Sequence, residues 1–541
     1  MSTPTVRDRY REDEIRAFYD AGYWHRDGLS ELLAKRAGTH RDKVFVSDGT
    51  TSRTYSAVQA QSLRLAGGLR ELGVGRGDRV AVQLPNWVEF AVIAAAVSRL
   101  GAVLVPIMPI YRATEVGFVL GHSGAKVAIT CDEFKGFGHL EMFSALREGN
   151  PALRSLVVAR GTHESAASLD ELMSGPEPDL APPPSADDGF LIVYTSGTTS
   201  RPKGCFHTFN TLRASAEAIA KSVHYTEDDV QFGPSPVTHS TGLVTSVVLP
   251  LLAGASSHFM EAWEPDEGLQ RIAKYGCTAA VTATPFLQML TAAHDPDRHD
   301  ASSLRLWVCA GSPIPGAVVR RAAEKFSGCR VLSLYGRSEN FLTTMCTVDD
   351  PPERSASSDG SAVAGAAVKI VDETGAEVPR GTEGDIAYHG PSHMLEYYRD
   401  PEQTAALFTA DGYSRSGDLG FMDEDGFVRV TGRLKDIVIR GGLNISAREL
   451  EDLLIEHPAV RAVAVIGMPD ERLGERVCAY VVPVPGTQPA LADLTGYLRE
   501  HDVATPKLPE RLELLTELPM TATGKVRKHV LRADIKTKLA R

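Results

Sequence analysis

The segment from Phe190 to Gly204 (FLIVYTSGTTSRPKG) constrains the chain most, because an apolar strand runs directly into a polar, glycine-containing loop. Small hydroxyl residues let a backbone approach phosphate oxygens closely, and their side chains and N–H groups can donate hydrogen bonds. Lys203 adds a positive charge, which at about 4 Å from an anion and an effective dielectric near 20 is worth roughly 4 kcal/mol. The segment is therefore a candidate phosphate-binding loop, with a polar surface turn as the alternative, and its candidate residues are Thr195, Ser196, Gly197, Thr198, Thr199 and Lys203.

This loop differs from the Walker type of phosphate loop. A Walker loop places Gly-Lys-Ser/Thr at the start of a helix, whereas here Pro202 precedes Lys203 and Gly204 follows it.

Short apolar runs bounded by Gly or Asp, each followed by a helix-like stretch, recur through the first part of the chain. Continuous apolar runs that alternate with helices are typical of parallel strands covered on both faces. A Pro-rich acidic stretch, Ser174 to Gly189, predicts a surface connector, and a second strand–helix series follows from Phe190 to about Phe326. Strands are expected at Arg79 to Leu84, Lys126 to Thr130, Ser155 to Val158 and Phe190 to Tyr194.

The pattern changes in the C-terminal part. From Ala364 to Val430, short strands and tight turns rich in Gly and Asp indicate antiparallel structure. After Gly432, a compact segment has its own predicted helix, Ala447 to Glu456, and its own strand, Arg461 to Ile466. The whole chain of 541 residues is too long for one ordinary core, so at least two domains are expected.

Charge and cysteine usage exclude several classes of protein. The net charge is −12, with acidic and basic residues mixed along the chain, whereas a nucleic-acid binder needs clustered Lys and Arg. The seven cysteines are scattered without a C-x-x-C pair, so a reducing compartment is favoured over a disulfide framework or a structural zinc site. The charged N-terminus has no signal-peptide core. The apolar stretch Phe90 to Ile110 is interrupted by Gly101, Pro106 and Pro109, which predicts a buried helix and strand in a cytoplasmic protein rather than a membrane span.

The segment Phe190 to Gly204 resembles the signature Y-T-S-G-T-T-G-x-P-K-G of the adenylate-forming superfamily. This superfamily includes acyl-CoA and aryl-CoA synthetases, peptide-synthetase adenylation domains and firefly luciferase. Ser200 stands where the family usually has Gly. Ser would be mildly strained at a loop position with positive φ, so we expect a change in loop mobility rather than a loss of binding. Further motifs follow in the family's order, so the resemblance covers nearly the whole chain.

Three of these motifs resemble the family's nucleotide site. Val308 to Pro315 (VCAGSPIP) resembles the adenine-pocket segment, with Gly311, Ser312 and Pro313 in place of G-A-P. Tyr335 to Glu339 (YGRSE) resembles Y-G-x-T-E, and Ser416 to Gly420 (SGDLG) resembles T-G-D. A carboxylate in the second motif suits Mg²⁺, which prefers hard oxygen ligands and bridges phosphates. The resemblance implies adenine stacking for Tyr335 beside Gly336, an α-phosphate contact for Ser338, support of Mg²⁺ for Glu339, and hydrogen bonds to both ribose hydroxyls for Asp418.

Two C-terminal motifs resemble the family's lid domain. They are Gly432 to Glu451 (GRLKDIVIRGGLNISARELE) and Leu518 to Arg532 (LPMTATGKVRKHVLR), the second of which resembles L-P-x-T-x-T-G-K. By this match Lys525 is the catalytic lysine, Arg433 reaches the nucleotide, Lys435 is the hinge, and Gly441 and Gly442 line the channel for the pantetheine arm of CoA.

The resemblance implies a mixed α/β fold. Its large N-terminal domain would hold two doubly wound αβαβα subdomains and a distorted antiparallel β-barrel, and a small mobile α+β domain would follow. The domains are expected at residues 1–431 and 436–541, with a hinge at 432–435 and the Pro-rich connector at 174–189. The implied reaction uses ATP and Mg²⁺ to activate a carboxylic acid as acyl-AMP with release of pyrophosphate, and then transfers the acyl group to the thiol of CoA. We expect a monomer or homodimer that binds no nucleic acid and no membrane.

The segment Thr238 to Gly242 (THSTG) lies where the family forms its acyl pocket. Amino-acid-activating members have an Asp here that pairs with the substrate's ammonium, and this chain has His239, so an α-amino acid is disfavoured. A gating role for His239 and a plain packing role stay equally open. The motif sequences as a whole most resemble those of ligases of alicyclic, aromatic or medium-chain acids.

Other acceptors and substrates also stay open. The chain ends shortly after Lys525, so no fused carrier domain is expected, and the acceptor is free CoA or a separate carrier protein. Some relatives activate nitrite and diazotise an aromatic amine, which makes a diazotase a second alternative. A third is a nucleotide-binding regulator without turnover, and the joint presence of Lys203, Glu339, Asp418 and Lys525 argues against it.

Overall fold

The computed structural model describes residues 4–195, 202–311, 314–521 and 525–539. Within these residues the chain forms two large, mostly parallel sheets, a smaller antiparallel sheet, a C-terminal sheet and a short hairpin of Glu133–Phe134 with Phe137–Gly138. Helices cover both faces of the large sheets. The predicted mixed α/β class is confirmed.

The first sheet is parallel at its centre and antiparallel at one edge. The change of direction occurs at Gly189–Thr195, which pairs in parallel with Val103–Pro106 and antiparallel with Lys203–Thr208. The strands predicted here are confirmed, with ends that shift by at most one residue. In sheet order the strands are Glu396–Tyr397, Lys203–Thr208, Gly189–Thr195, Val103–Pro106, Arg79–Gln83, Val127–Cys131, Ser155–Ala159 and Ala167–Ser168.

The second sheet is parallel from Val44–Ser47 to Arg330–Tyr335 and antiparallel at its ends. In sheet order its strands are Ser361–Ala362, Thr344–Met345, Arg330–Tyr335, Leu306–Ala310, Ala279–Ala283, Val230–Gly233, Ser256–Phe259, Val44–Ser47 and Ser52–Thr54.

The Pro-rich connector does not separate the strands of one large sheet from those of the other. Gly189–Thr195 follows the connector but belongs to the first sheet, whereas Val44–Ser47 precedes it and belongs to the second. The connector itself runs from the end of the helix Leu169–Ser174 to Gly189. Its carbonyl groups are held by side chains of the first part of the chain, as where Arg99 Nη1 donates to the Ala181 carbonyl at 2.7 Å.

Helix Glu89–Leu100 lies between the two large sheets and is buried from Glu89 to Ser98. A helix that is apolar on all sides is expected in an interior layer. The largest apolar cluster joins this helix to helix Tyr55–Glu71, helix Phe209–Ser222 and the facing sides of both sheets. Helices on the outer faces complete an α/β/α/β/α arrangement: Ala113–Ser123 and His139–Glu148 pack on the first sheet, and Pro265–Tyr275, Thr284–Ala293 and Gly316–Lys325 pack on the second.

The antiparallel structure predicted for Ala364 to Val430 forms a third sheet. Its strand order is Ala367–Val371, Gly384–His389, Ser414–Met422 and Val428–Arg433. The C-terminal sheet follows, and the predicted helix and strand are present in it as Ala447–Leu454 and Val460–Asp470. Its other strands are Leu443–Ile445, Val438–Arg440, Gly474–Pro483 and Arg511–Leu514.

The remaining helices connect these layers, and within the described residues no helix is both long and apolar enough to cross a membrane. The remaining α-helices are Glu12–Asp20, Leu29–Thr39, Leu169–Ser174, Ser240–Gly242, Leu249–Ala253, Arg354–Ser357, Pro401–Ala405, Leu491–Glu500 and Lys528–Leu539; the 3₁₀-helices are Val6–Asp8, Leu434–Asp436 and Thr505–Lys507, and Leu243–Val248 is a π-helix.

We predict that Trp307→Ala lowers the free energy of unfolding by about 3 to 5 kcal/mol, the usual cost of removing a fully buried aromatic side chain. Trp307 is fully buried in the second sheet, and its Nε1 donates to Thr282 Oγ1 at 3.0 Å. Urea unfolding followed by circular dichroism measures the change. The exposed Met289 is the control, because Met289→Ala should change stability by less than about 0.5 kcal/mol. Equal losses in the two variants would contradict the predicted packing.

Candidate active site

The predicted phosphate loop joins two neighbouring antiparallel strands of the first sheet. Thr195 ends one strand and lies opposite Lys203, which begins the next. The Thr195 hydroxyl donates to the Lys203 carbonyl at 3.4 Å, and Lys203 Nζ donates to Gln403 Oε1 at 2.7 Å. Ser196, Gly197, Thr198 and Thr199 lie outside the described residues.

The adenine-pocket motif and the YGRSE motif begin where neighbouring strands of the second sheet end. Leu306–Ala310 and Arg330–Tyr335 pair in parallel, so their carboxyl ends lie at the same edge. Ligands of open α/β sheets bind outside this edge. Gly311 follows the first strand with φ +70°, a conformation that favours glycine. Ser312 and Pro313 lie outside the described residues.

Asp418 lies on the third sheet and contacts Tyr335 of the YGRSE motif. It lies directly opposite Arg433 on the neighbouring strand, and Arg433 Nε lies 2.8 Å from its Oδ1. Tyr335 Oη donates to Oδ2 at 2.7 Å. Burial and the Asp418 charge raise the pKa of Tyr335 well above its usual value, so the phenol stays protonated. A carboxylate offers about four lone-pair sites, so Asp418 retains capacity to accept two hydroxyl hydrogens.

The Ser416–Gly417–Asp418 segment, an irregular part of the strand Ser414–Met422, is held in shape by a second buried carboxylate, Asp385. Its Oδ1 accepts the backbone N–H of Gly417 at 2.9 Å and that of Ser416 at 3.2 Å. Its Oδ2 accepts Arg415 Nε at 3.0 Å. Asp385 therefore fixes the backbone that carries Asp418.

Glu339 lies in a network that leads back to Lys203. The Tyr397 hydroxyl donates to Glu339 Oε1, and Lys203 Nζ lies 4.7 Å from the centroid of the Tyr397 ring. Burial and the Glu339 charge raise the pKa of Tyr397, so this donor keeps its proton. The Met394 N–H donates to the Glu339 carbonyl at 2.7 Å and fixes its backbone.

The donor set around Glu339 fits Mg²⁺ bound together with a nucleotide. Among the described residues there is no group of three or more His, Cys, Asp or Glu side chains that could hold a metal alone. Mg²⁺ at nucleotide sites is held by one or two carboxylates, water and substrate phosphates, so Glu339 as a single carboxylate would be sufficient to hold it together with a nucleotide.

Lys525 belongs to the C-terminal part and is held by contacts with residues on either side of the undescribed positions 522–524. Met520 and Val526 form an antiparallel bridge, Thr521 N–H donates to the Lys525 carbonyl at 2.7 Å, and Lys525 N–H donates to Thr521 Oγ1 at 3.0 Å. A methyl group added at Gly311 would lie 4.0 Å from Lys525 Cε. The loss of hydration, together with repulsion from Arg433, lowers the pKa of Lys525 to about 8.

His239 lies beside Lys525 and is uncharged. Burial, together with the positive charge of Lys525, lowers the pKa of His239 to about 3. His239 Nδ1 accepts the Thr241 N–H at 3.3 Å, which leaves the ring proton on Nε2. The side chain thus caps the short helix Ser240–Gly242, which supports the packing interpretation, and the pocket role stays a prediction.

The predicted hinge and CoA-channel residues lie on exposed turns. Gly441 and Gly442 form the tip of the hairpin between Val438–Arg440 and Leu443–Ile445, with φ +58° and +88°. Such a two-residue turn needs positive φ at both positions. Lys435 lies in the 3₁₀-helix Leu434–Asp436, and its carbonyl accepts Arg532 Nη2 at 3.3 Å.

Several residues of the site were missed from the sequence. Asp385 and Tyr397 belong to unremarkable strand segments, and their roles depend on partners far along the chain. His207 Nε2 donates to the Ser338 carbonyl at 2.8 Å, and burial lowers the pKa of His207 to about 3. Arg337 lies inside the YGRSE motif, and its positive charge at that position was the available signal.

Comparison with known proteins decides the family. The family model of AMP-binding enzymes matches residues 33–398, and the model of the AMP-binding enzyme C-terminal domain matches residues 449–525. The chain belongs to the AMP-binding enzyme family. The resemblance to adenylate-forming enzymes drawn from its motifs is thereby confirmed.

Relatives of this AMP-binding enzyme span nearly its whole length. It is 36% identical over 537 residues to the medium-chain fatty-acid–CoA ligase of Escherichia coli K12, with 98% of this chain and 94% of the relative covered. The crystal structure of the anthranilate CoA ligase AuaEII with anthranoyl-AMP has a TM-score of 0.88 and 27% identity, covering 95% of this chain and 98% of that one. ATP-bound MatB from Rhodopseudomonas palustris has a TM-score of 0.85 and 29% identity, covering 94% and 99%. The chain is an adenylate-forming acid ligase that uses ATP.

We predict that kcat/KM for ATP in pyrophosphate exchange falls about tenfold per pH unit above pH 8. In the enzyme without bound nucleotide, Lys525 loses its proton with a pKa of about 8. Bound phosphates favour the ammonium, so the fall in kcat should occur at higher pH. Lys525→Arg keeps its charge, and its residual activity should not fall between pH 8 and about 10. Parallel profiles for the two proteins would exclude Lys525 as the titrating group.

Proposed function

We propose that this enzyme joins a carboxylic acid to AMP, releases pyrophosphate and transfers the acyl group to the thiol of CoA. The observation that carries the proposal is the convergence of Lys525, Arg433 and Asp418 with Glu339 at the carboxyl edge of the second sheet. These groups come from the large sheets, the third sheet and the C-terminal part. Their meeting point is suited to a nucleotide whose α-phosphate faces Lys525.

The first step brings two anions together. A carboxylate oxygen bonds to the α-phosphorus of ATP while the bond from that phosphorus to the bridging oxygen breaks, and pyrophosphate leaves with the electron pair. No proton transfer is needed, since carboxylic acids are ionised at neutral pH. Lys525 and Lys203 offset the repulsion with charges that are already in place. Mg²⁺ held at Glu339 would supply further positive charge to the phosphates.

In the second step, the thiol of CoA displaces AMP from the acyl group. The thiol sulfur bonds to the acyl carbon, the mixed anhydride bond breaks, AMP leaves with its electron pair, and the thiol proton passes to solvent. We propose that the C-terminal part, residues 436–541, rotates about residues 432–435 between the steps. That movement would withdraw Lys525 and bring the exposed Gly441–Gly442 turn to the thiol route.

The acid is proposed to be an aromatic, alicyclic or medium-chain carboxylate. His239 is uncharged at neutral pH, so it offers no anionic partner for the ammonium of an α-amino acid. The E. coli relative is named for a medium-chain fatty acid and the AuaEII structure for anthranilate, and both acids fall within this range. Free CoA is the proposed acceptor because both of these names include it.

A pyrophosphate-release screen over a panel of acids, with and without CoA, tests the proposal. We expect AMP formation that depends on the acid, and a thioester that forms when CoA is added. Thioester formed on a purified carrier protein, and not on CoA, would show that the carrier protein is the acceptor. Diazo product from nitrite and an aminoarene without CoA would replace the substrate, and a complete lack of AMP with every acid would refute the function.

We predict that Lys525→Ala lowers pyrophosphate exchange by roughly 10²- to 10³-fold, the usual effect of removing one preorganised charge stabiliser. Conversion of supplied acyl-AMP and CoA to thioester should be retained, because Lys525 is proposed to act in the first step. The exposed Lys536 of the terminal helix is the matched control, and Lys536→Ala should leave both half-reactions unchanged. Equal loss of both half-reactions in Lys525→Ala would contradict the assignment.

We predict the opposite pattern for Lys435→Pro. A fixed φ at the proposed hinge should leave pyrophosphate exchange largely intact and block thioester formation from acyl-AMP. Single-turnover assays of each half-reaction measure the difference. Thioester formation at the wild-type rate would exclude a hinge at this residue.

A further inference from the structure

Arg337 joins the YGRSE motif to the strand that carries Asp418. Its Nη1 donates to the Arg415 carbonyl at 2.6 Å and its Nη2 to the Ser414 carbonyl at 3.1 Å. Its Nε donates to Asn340 Oδ1 at 3.2 Å. A guanidinium can make such a planar, forked contact, whereas an ammonium presents a single charged centre.

The turn that holds Arg337 is closely packed. The Phe341 N–H donates to the Arg337 carbonyl at 2.6 Å. A methyl group added at Gly336 would lie 1.9 Å from the Phe341 carbonyl oxygen, and Phe341 itself has φ +51°. The backbone around Arg337 therefore has little freedom to move, and the guanidinium contacts the third sheet from a fixed base.

The carbonyls that accept from Arg337 come immediately before the Ser416–Gly417–Asp418 segment. Asp385 holds the same segment through the Ser416 and Gly417 N–H groups. Arg337 contacts the Ser414 and Arg415 carbonyls and the Ser414 hydroxyl of this strand, and not the Asp418 carboxylate, which already pairs with Arg433 and Tyr335. Its effect on Asp418 is thus one of placement.

We propose that Arg337 is a positioning residue that sets Asp418 at the correct distance from the ribose hydroxyls of ATP. The inference rests on the proposed function, in which Asp418 accepts hydrogen bonds from those hydroxyls. A misplacement of about 1 Å in such a site can cost on the order of 10²-fold in rate. Loss of the fork should therefore weaken recognition of the ribose and spare contacts made by the triphosphate.

Pyrophosphate exchange with ATP, 2′-deoxy-ATP and 3′-deoxy-ATP tests the inference. In the wild type we expect kcat/KM to be at least about tenfold higher for ATP than for each deoxynucleotide, since each good hydrogen bond lost contributes about this much. In Arg337→Gln we expect this preference to shrink to about twofold, through a higher KM for ATP, with little change for the deoxynucleotides. Arg337→Lys, which keeps the charge but not the fork, should retain part of the preference.

Arg79 provides the matched control. It is also half-buried and donates to backbone carbonyls, those of Ser123, Gly77 and Gly124, at 2.7 to 2.9 Å, but at the first sheet. Arg79→Gln should keep the wild-type preference for ATP even if it lowers stability. If Arg337→Gln or Arg337→Lys lowers activity equally with all three nucleotides, the positioning role is wrong.

Asp418→Ala separates this inference from the proposed function. If the wild type prefers ATP and Asp418→Ala does not, Asp418 reads the ribose, and the Arg337 variants then decide the inference alone. Wild-type enzyme that uses all three nucleotides equally would overturn the role of Asp418 and, with it, that of Arg337. Thermal unfolding of each variant shows whether it is folded, and a folded Arg337→Lys that keeps the full preference would also overturn the inference.

Discussion

The geometry of the site depends on the pairing of the Asp418 carboxylate. A buried charge costs several kcal/mol unless it is paired and hydrogen-bonded, and Asp418 obtains its partners from two other elements, Tyr335 and Arg433. Arg433 ends the last strand of the third sheet, and the 3₁₀-helix Leu434–Asp436 follows directly. Asp436 then pairs with Arg532 at 2.8 Å. Two ion pairs, joined by the chain between Arg433 and Asp436, thus connect Asp418 to the helix that follows Lys525.

Two buried, neutral histidines add no positive charge to the same site. His207 supports the Ser338 carbonyl and His239 caps a short helix beside Lys525, and burial keeps both uncharged near neutral pH. The cations of the candidate site are therefore Lys and Arg side chains, which stay charged in acid. The pH dependence of the first step should come from Lys525, whose pKa is lowered to about 8.

The features that were predictable from the sequence are local ones. Strands such as Arg79–Gln83 and Gly189–Thr195 follow from continuous apolar runs, and Tyr335 and Asp418 were found because each lies in a short motif at a strand or turn. The support provided by Asp385 and Arg337 could not be predicted in this way, because it depends on which strands become neighbours. The membership of Gly189–Thr195 in the first sheet was missed for the same reason, since the Pro-rich connector suggested a division that pairing between distant strands overrides.

The place of Val44–Ser47 in the second sheet has a consequence for biosynthesis. Val46 lies opposite Ser257, roughly 200 residues later in the chain. At a translation rate of about 5 to 20 residues per second, the ribosome takes about 10 to 40 seconds to deliver that partner. During this interval the nascent chain carries an apolar strand with an open hydrogen-bonding edge, and it is in this interval that a chaperone would have most to protect.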